Sequence, residues 1–206
     1  MKYNPEKHSR RSLRLKEYDY TQAGAYFVTI VTQRRACLFG NIEQSETRLN
    51  KAGEMVQTIW SELAYFYPGV ETDVFVVMPN HFHGIIDLVG ATPRGCPPPH
   101  ADSQPDTIIS LSDVVHRFKT LTTKRYTDGV KRFGWPRFVD RLWQRNYYEH
   151  VIRSDESLNR IREYIVNNPL RWSFDPENPD ALAPEPADVW RMAEGDRPVA
   201  PTEHPI

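Results

Sequence analysis

The chain has 206 residues, with 26 basic and 27 acidic side chains and a formal net charge of −1. Its two cysteines, Cys37 and Cys96, lack the C-x-x-C spacing of metal or redox sites, and two isolated thiols fit a reducing compartment. No apolar run follows the basic first residues, and no stretch of about 18 apolar residues occurs. We therefore expect a soluble, cytoplasmic protein without a signal peptide or a membrane span.

The net charge hides an uneven distribution along the chain. Residues 173–206 contain eight acidic and two basic side chains, a charge of −6, which leaves +5 on residues 1–172. Basic residues are concentrated at 1–17 and at 113–145. Such patches favour a polyanionic partner, because binding releases condensed counterions, although a solvated surface gives the same pattern.

The residue patterns predict seven elements separated by loops. In chain order these are a strand at 25–32, a helix at 50–66, strands at 72–78 and 82–89, a helix at 110–126, a strand at 142–152 and a last helix from Ser154 to about Pro169. The strands are β-branched and aromatic runs, and the helices show apolar stripes at the helical period. Asn50, Ser110 and Ser154 are residues of the type that begins helices.

This element order predicts an α+β, ferredoxin-like fold. The first six elements give β-α-β-β-α-β, which forms an antiparallel sheet with its helices on one face, and the last helix is extra. We expect three regions: a basic arm at 1–19, the folded domain at 20–172 with a proline-rich loop at 90–106, and a poorly ordered acidic, proline-rich tail at 173–206.

Two histidines on one predicted strand are candidate metal ligands. In MPNHFHGIID at 78–87, His81 and His83 alternate with Phe82, so both imidazoles project from the same face of the sheet. Phe82 and Ile86 would then pack under the helices. Paired imidazoles on a rigid strand can make two-thirds of a metal site, but a lone H-x-H pattern also fits structural histidines.

The last helix brings two polar groups to the edge of its buried stripe. Tyr164 and Asn168 are spaced i, i+4 and therefore lie together on the helix surface. The Asn168 oxygen could complete a metal shell, and the Tyr164 phenol could attack a phosphate bound to that metal. The alternative is a packing tyrosine and a helix-end asparagine.

These motifs carry a family resemblance that covers residues 20–172, apart from the loop. His81-Phe82-His83 resembles the motif of the HUH endonucleases, and MPNHFH followed by EYIVNNPLRW resembles the REP-associated tyrosine transposases. The resemblance implies that His81 and His83 bind Mg²⁺ or Mn²⁺ and that Tyr164 forms a 5′-phosphotyrosine and releases a 3′-hydroxyl. It places Asn168 where relatives have a polar third ligand.

Other assignments remain open at the level of the sequence. Imidazole ligands by themselves favour Zn²⁺ or Mn²⁺ over Mg²⁺. Tyr147 or Tyr148 is an alternative nucleophile, and His150 receives no role. A replication or mobilisation initiator would share the chemistry within a larger chain. The competing function is a domesticated DNA- or RNA-binding protein that no longer cleaves.

The expected substrate is single-stranded or hairpin DNA, because an unstacked strand can reach the phenol. A homodimer is possible but is not assigned. The residues expected to contact DNA phosphates are Arg11, Arg14, Arg117, Lys119, Lys124, Arg125, Arg137 and Arg145.

Overall fold

The computed structural model of the protein describes residues 18–89 and 109–181. The predicted arm residues Arg11 and Arg14, the loop at 90–106 and the chain from residue 182 onward lie outside these ranges. Within the described residues, no helix is long and apolar enough to cross a membrane.

Six strands and three α-helices make up the described structure. They are β1 (Gly24–Val31), β2 (Gly40–Glu43), β3 (Glu46–Leu49), α1 (Lys51–Phe66), β4 (Val70–Val77), β5 (His81–Leu88), α2 (Leu111–Phe133), β6 (Tyr148–Ile152) and α3 (Asp155–Asn167). Two 3-10 turns, Gln33–Arg35 and Pro169–Phe174, follow β1 and α3.

The main sheet has the order β4-β5-β1-β6, and every neighbouring pair is antiparallel. With α1 between β1 and β4, and α2 between β5 and β6, this is the β-α-β-β-α-β topology. The predicted α+β, ferredoxin-like fold is therefore confirmed. β5, the strand that carries both candidate histidines, is held on both sides by full-length partners.

One face of the sheet is covered by α1 and α2. Phe82 and Ile86 of β5 are fully buried there with Trp60 of α1 and Phe118 of α2. The Trp60 and Phe82 rings lie 4.4 Å apart and tilted, an arrangement that aromatic pairs favour. The predicted inward face of β5 is therefore correct, and it forces His81 and His83 onto the opposite face.

The opposite face of the sheet is covered by α3. Ile161 and Ile165 of this helix are fully buried against Phe27 of β1 and Ile85 of β5. The Arg162 guanidinium also donates two hydrogen bonds to one carboxylate oxygen of Asp73 on β4, at 2.6 and 2.8 Å. The last helix therefore docks directly beside the histidines.

The predicted start residues of all three helices are confirmed. The Asn50 side chain accepts hydrogen bonds from the first amides of α1, at 2.9 and 3.0 Å. Ser110 forms a reciprocal capping box with Asp113 in α2, and Ser154 accepts from the Ser157 amide in α3. These contacts satisfy amides that have no partner inside the helix.

The structure differs from the predicted elements in three places. The strand expected at 142–152 is continuous only over Tyr148–Ile152. Trp143 forms an isolated antiparallel bridge with Thr32, and its side chain is buried under α2, where the indole donates to Thr122 at 2.8 Å. The β2–β3 hairpin was not predicted, since each strand has only four residues. The second helix continues past Tyr126 to Phe133 and ends at Gly134, which adopts the left-handed conformation.

Gly84 of β5 provides a test of the packing behind the site. A methyl group at this position would lie 2.6 Å from the Trp60 ring and 2.8 Å from the Phe82 ring. We expect Gly84→Ala to lower the free energy of unfolding by about 1–3 kcal/mol through overpacking, measured by urea denaturation. The exposed α1 substitution Gln57→Ala should change it by less than about 0.5 kcal/mol. Equal stability of both variants would contradict this packing.

Candidate metal and tyrosine site

His81 and His83 lie side by side on the α3 face of the sheet. Their ring centroids are 4.6 Å apart, and both side chains are buried, with exposures of 0% and 3%. The Nε2 atoms of both rings are buried without a hydrogen-bond partner among the described residues. Two adjacent imidazoles with unused nitrogens are suited to binding a cation.

The orientation of His81 is fixed by Asn80, the residue before it. Both hydrogens of the Asn80 amide are donated to backbone carbonyls, those of Arg35 at 3.0 Å and Glu177 at 2.6 Å. The Asn80 oxygen therefore faces the His81 ring and accepts from Nδ1 at 2.8 Å. With its proton on Nδ1, His81 presents the lone pair of Nε2 to the site.

His83 is held in the same manner by a different neighbour. Its Nδ1 lies 2.8 Å from the Thr29 hydroxyl on β1, so Nε2 is the nitrogen that remains. Burial, followed by the nearby His81, lowers the pKa of His83 well below its ordinary value of 6.5. His83 is therefore a neutral imidazole, which is the form that binds metals.

A third candidate ligand comes from a segment that the sequence did not predict. The Asp175 carboxylate is buried and lies 3.7 Å from Nε2 of His81. One ligand atom from each of His81, His83 and Asp175 lies within 4.8 Å of the other two, so the three could hold a metal ion. The expectation of a poorly ordered tail from Ser173 is therefore wrong for residues 173–181, because Asp175 and Asn178 are buried against the domain.

Asn168 lies beside this group, as predicted from its spacing to Tyr164. Its side chain is 1% exposed and hydrogen-bonds to the Tyr164 phenol, while its Oδ1 has no partner among the described residues. The unpartnered buried atoms thus include Nε2 of both histidines and this oxygen, and they belong to the three residues that the sequence predicts as ligands. Buried polar atoms without partners are costly, and all three are atoms of the kind that bind divalent cations.

Tyr164 is brought to the same place by the docking of α3. Its ring centroid lies 5.3 Å from that of His83 and 6.0 Å from that of Phe27. Burial, and secondarily the Asp175 and Glu177 carboxylates, raise the pKa of the phenol, while Asn168 and Arg171 partly oppose them. Together these effects favour the protonated form of the phenol.

The two alternative tyrosines lie on opposite faces of the sheet. Tyr148 pairs with Thr29, which in turn pairs with His83, so Tyr148 and His83 share a face. Tyr147 packs against the α1 and α2 core, and the Lys119 ammonium lies 5.4 Å from the centre of its ring. His150 pairs with Phe27 on the site's face and is buried. Tyr148 is therefore the second phenol to test.

Lys119 is the exception among the predicted phosphate-binding residues. Its ammonium donates to the carbonyls of Gln144, Arg145 and Asn146, at 2.9, 3.3 and 2.9 Å. Burial lowers its pKa to about 8. Three acceptors use all three ammonium protons, so Lys119 holds the chain ahead of β6, and its contact with DNA stays a prediction.

The other predicted basic residues within the described part of the chain are exposed. Arg117, Lys124 and Arg125 belong to α2, which covers the face opposite to His81 and His83. Arg137 and Arg145 are exposed in the connection between α2 and β6. Arg35 is linked to the site through Asn80 and was not predicted, because the sequence does not show that the turn after β1 meets this residue.

Comparisons with known proteins give the following relatives. No family model matches the chain. An uncharacterised protein of Haemophilus influenzae is 40% identical over 179 residues, covering 84% of this chain and 96% of the relative. A second protein of that organism, provisionally named a REP-associated tyrosine transposase, is 26% identical over 159 residues, or 76% of each chain.

Two solved structures are also similar. One is a REP-associated tyrosine transposase bound to a REP hairpin, with a TM-score of 0.49, 20% identity, and coverage of 92% of this chain and 93% of that one. The other is a provisionally named transposase from Deinococcus radiodurans, with a TM-score of 0.43, 19% identity, and coverage of 75% and 95%. The resemblance stated from the sequence motifs is confirmed by the name of the second Haemophilus influenzae relative.

The burial of neutral His83 predicts a specific dependence of stability on pH. Because the pKa of His83 is lowered in the folded state, only the unfolded chain binds a proton at this residue just below pH 6.5. Protonation therefore favours the unfolded chain, and the free energy of unfolding falls as the pH drops. In EDTA, we expect His83→Asn to reduce the slope of unfolding free energy against pH by up to about 1.4 kcal/mol per unit below pH 6.5. His116→Asn, at an exposed position, should retain the wild-type slope. An unchanged slope in His83→Asn would contradict the assignment.

Proposed function

We propose that this protein nicks and rejoins single DNA strands as a transposase-like enzyme. The chain belongs to one family with the 40% identical Haemophilus influenzae protein. The observation that carries the proposal is the position of the Tyr164 phenol, next to His83, Asn168 and the His81–Asp175 pair. A nucleophile, candidate metal ligands and a polar orienting group thus converge on one buried place.

In this proposal, His81 and His83 hold a divalent metal ion, with Asp175, Asn168 or both completing the ligand set. Such a set of imidazole nitrogens with carboxylate or amide oxygens suits Mn²⁺ well and accepts Mg²⁺ less readily. When bound, the ion withdraws electron density from a phosphoryl oxygen and orients the scissile bond. Asn80 and Thr29 keep the two imidazoles pointed at the ion through their Nδ1 contacts.

Tyr164 supplies the nucleophile for strand cleavage. Its phenolic oxygen forms a bond to the phosphorus while the bond from phosphorus to the 3′-oxygen breaks. The phenol proton is finally carried by the released 3′-hydroxyl, and the 5′ end remains attached as a phosphotyrosine. A second 3′-hydroxyl can then attack this ester and regenerate the phenol, so the phosphodiester is exchanged without hydrolysis.

The electrostatics of the site favour attack only when positive charge is present. In the metal-free protein, burial and the Asp175 carboxylate keep the phenol protonated. Neutralising Asp175 would remove an opposing charge, and the Asn168 and Arg171 side chains already favour phenolate. The chain's own residues therefore make the nucleophile dependent on cation binding.

We propose single-stranded or hairpin DNA as the substrate. A duplex keeps its backbone regular, whereas an unpaired strand can bend to bring one phosphate to a recessed phenol. The exposed basic residues Arg117, Lys124, Arg125, Arg137 and Arg145 are available for the rest of the DNA. A hairpin that reaches Arg117, Lys124 and Arg125 on α2 has to pass around an edge of the sheet, since they lie on the far face from His81.

A domesticated DNA- or RNA-binding protein that no longer cleaves remains the competing function. Sheet-based RNA recognition uses exposed aromatic side chains on the central strands. Here α3 covers that face of the sheet, and the central positions hold buried histidines with unpartnered nitrogens. These features favour a catalytic site over a stacking surface.

Replacing the proposed nucleophile tests the reaction. With Mn²⁺ and a labelled library of single-stranded hairpins, we expect wild type to form a covalent adduct on denaturing gels and Tyr164→Phe to form none. The second phenol on this face serves as the control, so Tyr148→Phe should still form the adduct. The proposal fails if wild type forms no adduct on any substrate or if Tyr164→Phe retains it.

Replacing Asp175 tests the ligand set. We expect Asp175→Asn to weaken Mn²⁺ binding by about tenfold or more, measured by calorimetry, because it removes the anionic ligand. Asp180→Asn removes an exposed carboxylate from the same segment and should have little effect. If Asp175→Asn binds Mn²⁺ normally while Asn168→Ala does not, the oxygen ligand is Asn168 alone.

A further inference from the structure

Arg35 forms an ion pair with the segment that covers the site. Its Nε donates to a carboxylate oxygen of Glu177 at 2.8 Å, with side-chain exposures of 36% for the arginine and 14% for the glutamate. The Asp175 carboxylate, two residues earlier, is the group beside His81. The pair therefore joins the turn after β1 to the acidic segment at the edge of the candidate metal group.

The backbone of Arg35 is fixed relative to the histidines. Its carbonyl accepts a hydrogen bond from Asn80, whose oxygen accepts from His81. Arg34 and Arg35 both have positive φ, 59° and 53°, a conformation that non-glycine residues adopt only at a cost. Surrounding contacts thus hold this turn in a strained shape that directs the Arg35 side chain to the site segment.

The arrangement places two carboxylates close enough to Tyr164 to act on its phenol. Asp175 and Glu177 both act electrostatically on the Tyr164 phenol, and the Glu177 carbonyl accepts from Asn80 at 2.6 Å. A phosphodiester brought to the same phenol would meet these negative charges. Repulsion between them and the phosphate would weaken binding unless a cation compensates.

We propose that Arg35 is a phosphate-binding residue of the site and that the Glu177 carboxylate takes the place of a DNA phosphate in the free protein. A guanidinium binds carboxylates and phosphates through the same planar set of donors, so one anion can replace the other. The half-exposed Arg35 side chain is accessible to a strand once Glu177 is displaced.

Two other ion pairs among the described residues involve α3. Arg162 and Asp73 join α3 to β4, where they hold the helix on the sheet. Arg160 and Glu156 lie one turn apart on α3, and the glutamate of this pair is exposed. Arg35 differs because its partner belongs to the segment that carries Asp175 and because its own backbone is bonded to Asn80.

The inference rests on the proposed function, because it assumes that DNA reaches Tyr164, but its test uses binding in EDTA and needs no cleavage. The probe is a labelled oligodeoxythymidine, titrated by fluorescence anisotropy at several salt concentrations with the full chain. We expect Glu177→Gln to tighten binding by about fivefold, because Arg35 no longer has an internal carboxylate. The slope of log affinity against log salt should steepen by about 0.7, the value for one added phosphate contact on a single strand.

The control for the change in net charge is Glu156→Gln, which also removes one negative charge from an arginine pair but lies away from the site. It should leave both the affinity and the slope near wild type. In an Arg35→Gln background, Glu177→Gln should produce no gain in DNA affinity. If Arg35→Gln fails to fold, Arg35→Lys is the background, and there Glu177→Gln should produce only part of the gain.

Two results would overturn the role of Arg35: an equal gain from Glu177→Gln with and without Arg35, or a gain no larger than that from Glu156→Gln. Adduct formation by wild type with Mn²⁺ would still stand in either case. The converse outcome is that Glu177→Gln tightens binding only when Arg35 is present while wild type forms no adduct with Mn²⁺. That result would support the phosphate site at Arg35 and contradict only the cleavage reaction.

Discussion

The docking of α3 on the sheet is the interaction on which the candidate site depends. Ile161 and Ile165 bury their side chains against Phe27 and Ile85, and this packing carries Tyr164 to the histidines. The helix is short, so its position is set by this apolar contact rather than by its own stability. The ion pair between Arg162 and Asp73 is partly exposed and adds at most about 1 kcal/mol.

The same docking links chemistry to the segment that follows the helix. Past Pro169 the chain turns back over the site, where Asp175 approaches His81 and Glu177 pairs with Arg35. Asn80 unites these parts, because one amide contacts the Arg35 turn, the Glu177 carbonyl and the His81 ring. Moving the segment with Asp175 and Glu177 would therefore change the charge near the Tyr164 phenol. It would also break the hydrogen bond from Asn80 to the Glu177 carbonyl, which helps Asn80 to orient His81.

Much of the site could be inferred from the sequence because its parts follow local periodicities. Alternation on a strand places His81 and His83 on one face, and helical spacing places Asn168 beside Tyr164. Asp175 could not be found in this way, since its acidic, proline-rich surroundings resemble those of an unstructured tail. The sequence also did not show that backbone carbonyls surround the Lys119 ammonium, because charge alone does not reveal the neighbours of a side chain.

By itself, the sequence determined the order of the main-sheet strands and the helices, the helix starts and the two polar motifs, since each depends on residues within a few positions of one another. Only the tertiary structure decided that α3 covers the histidine face, that Arg35 meets Glu177 and that Asp175 lies beside the two histidines as a candidate ligand. These contacts join residues far apart in the chain. Their geometry depends on the packing of the whole domain, which no local pattern encodes.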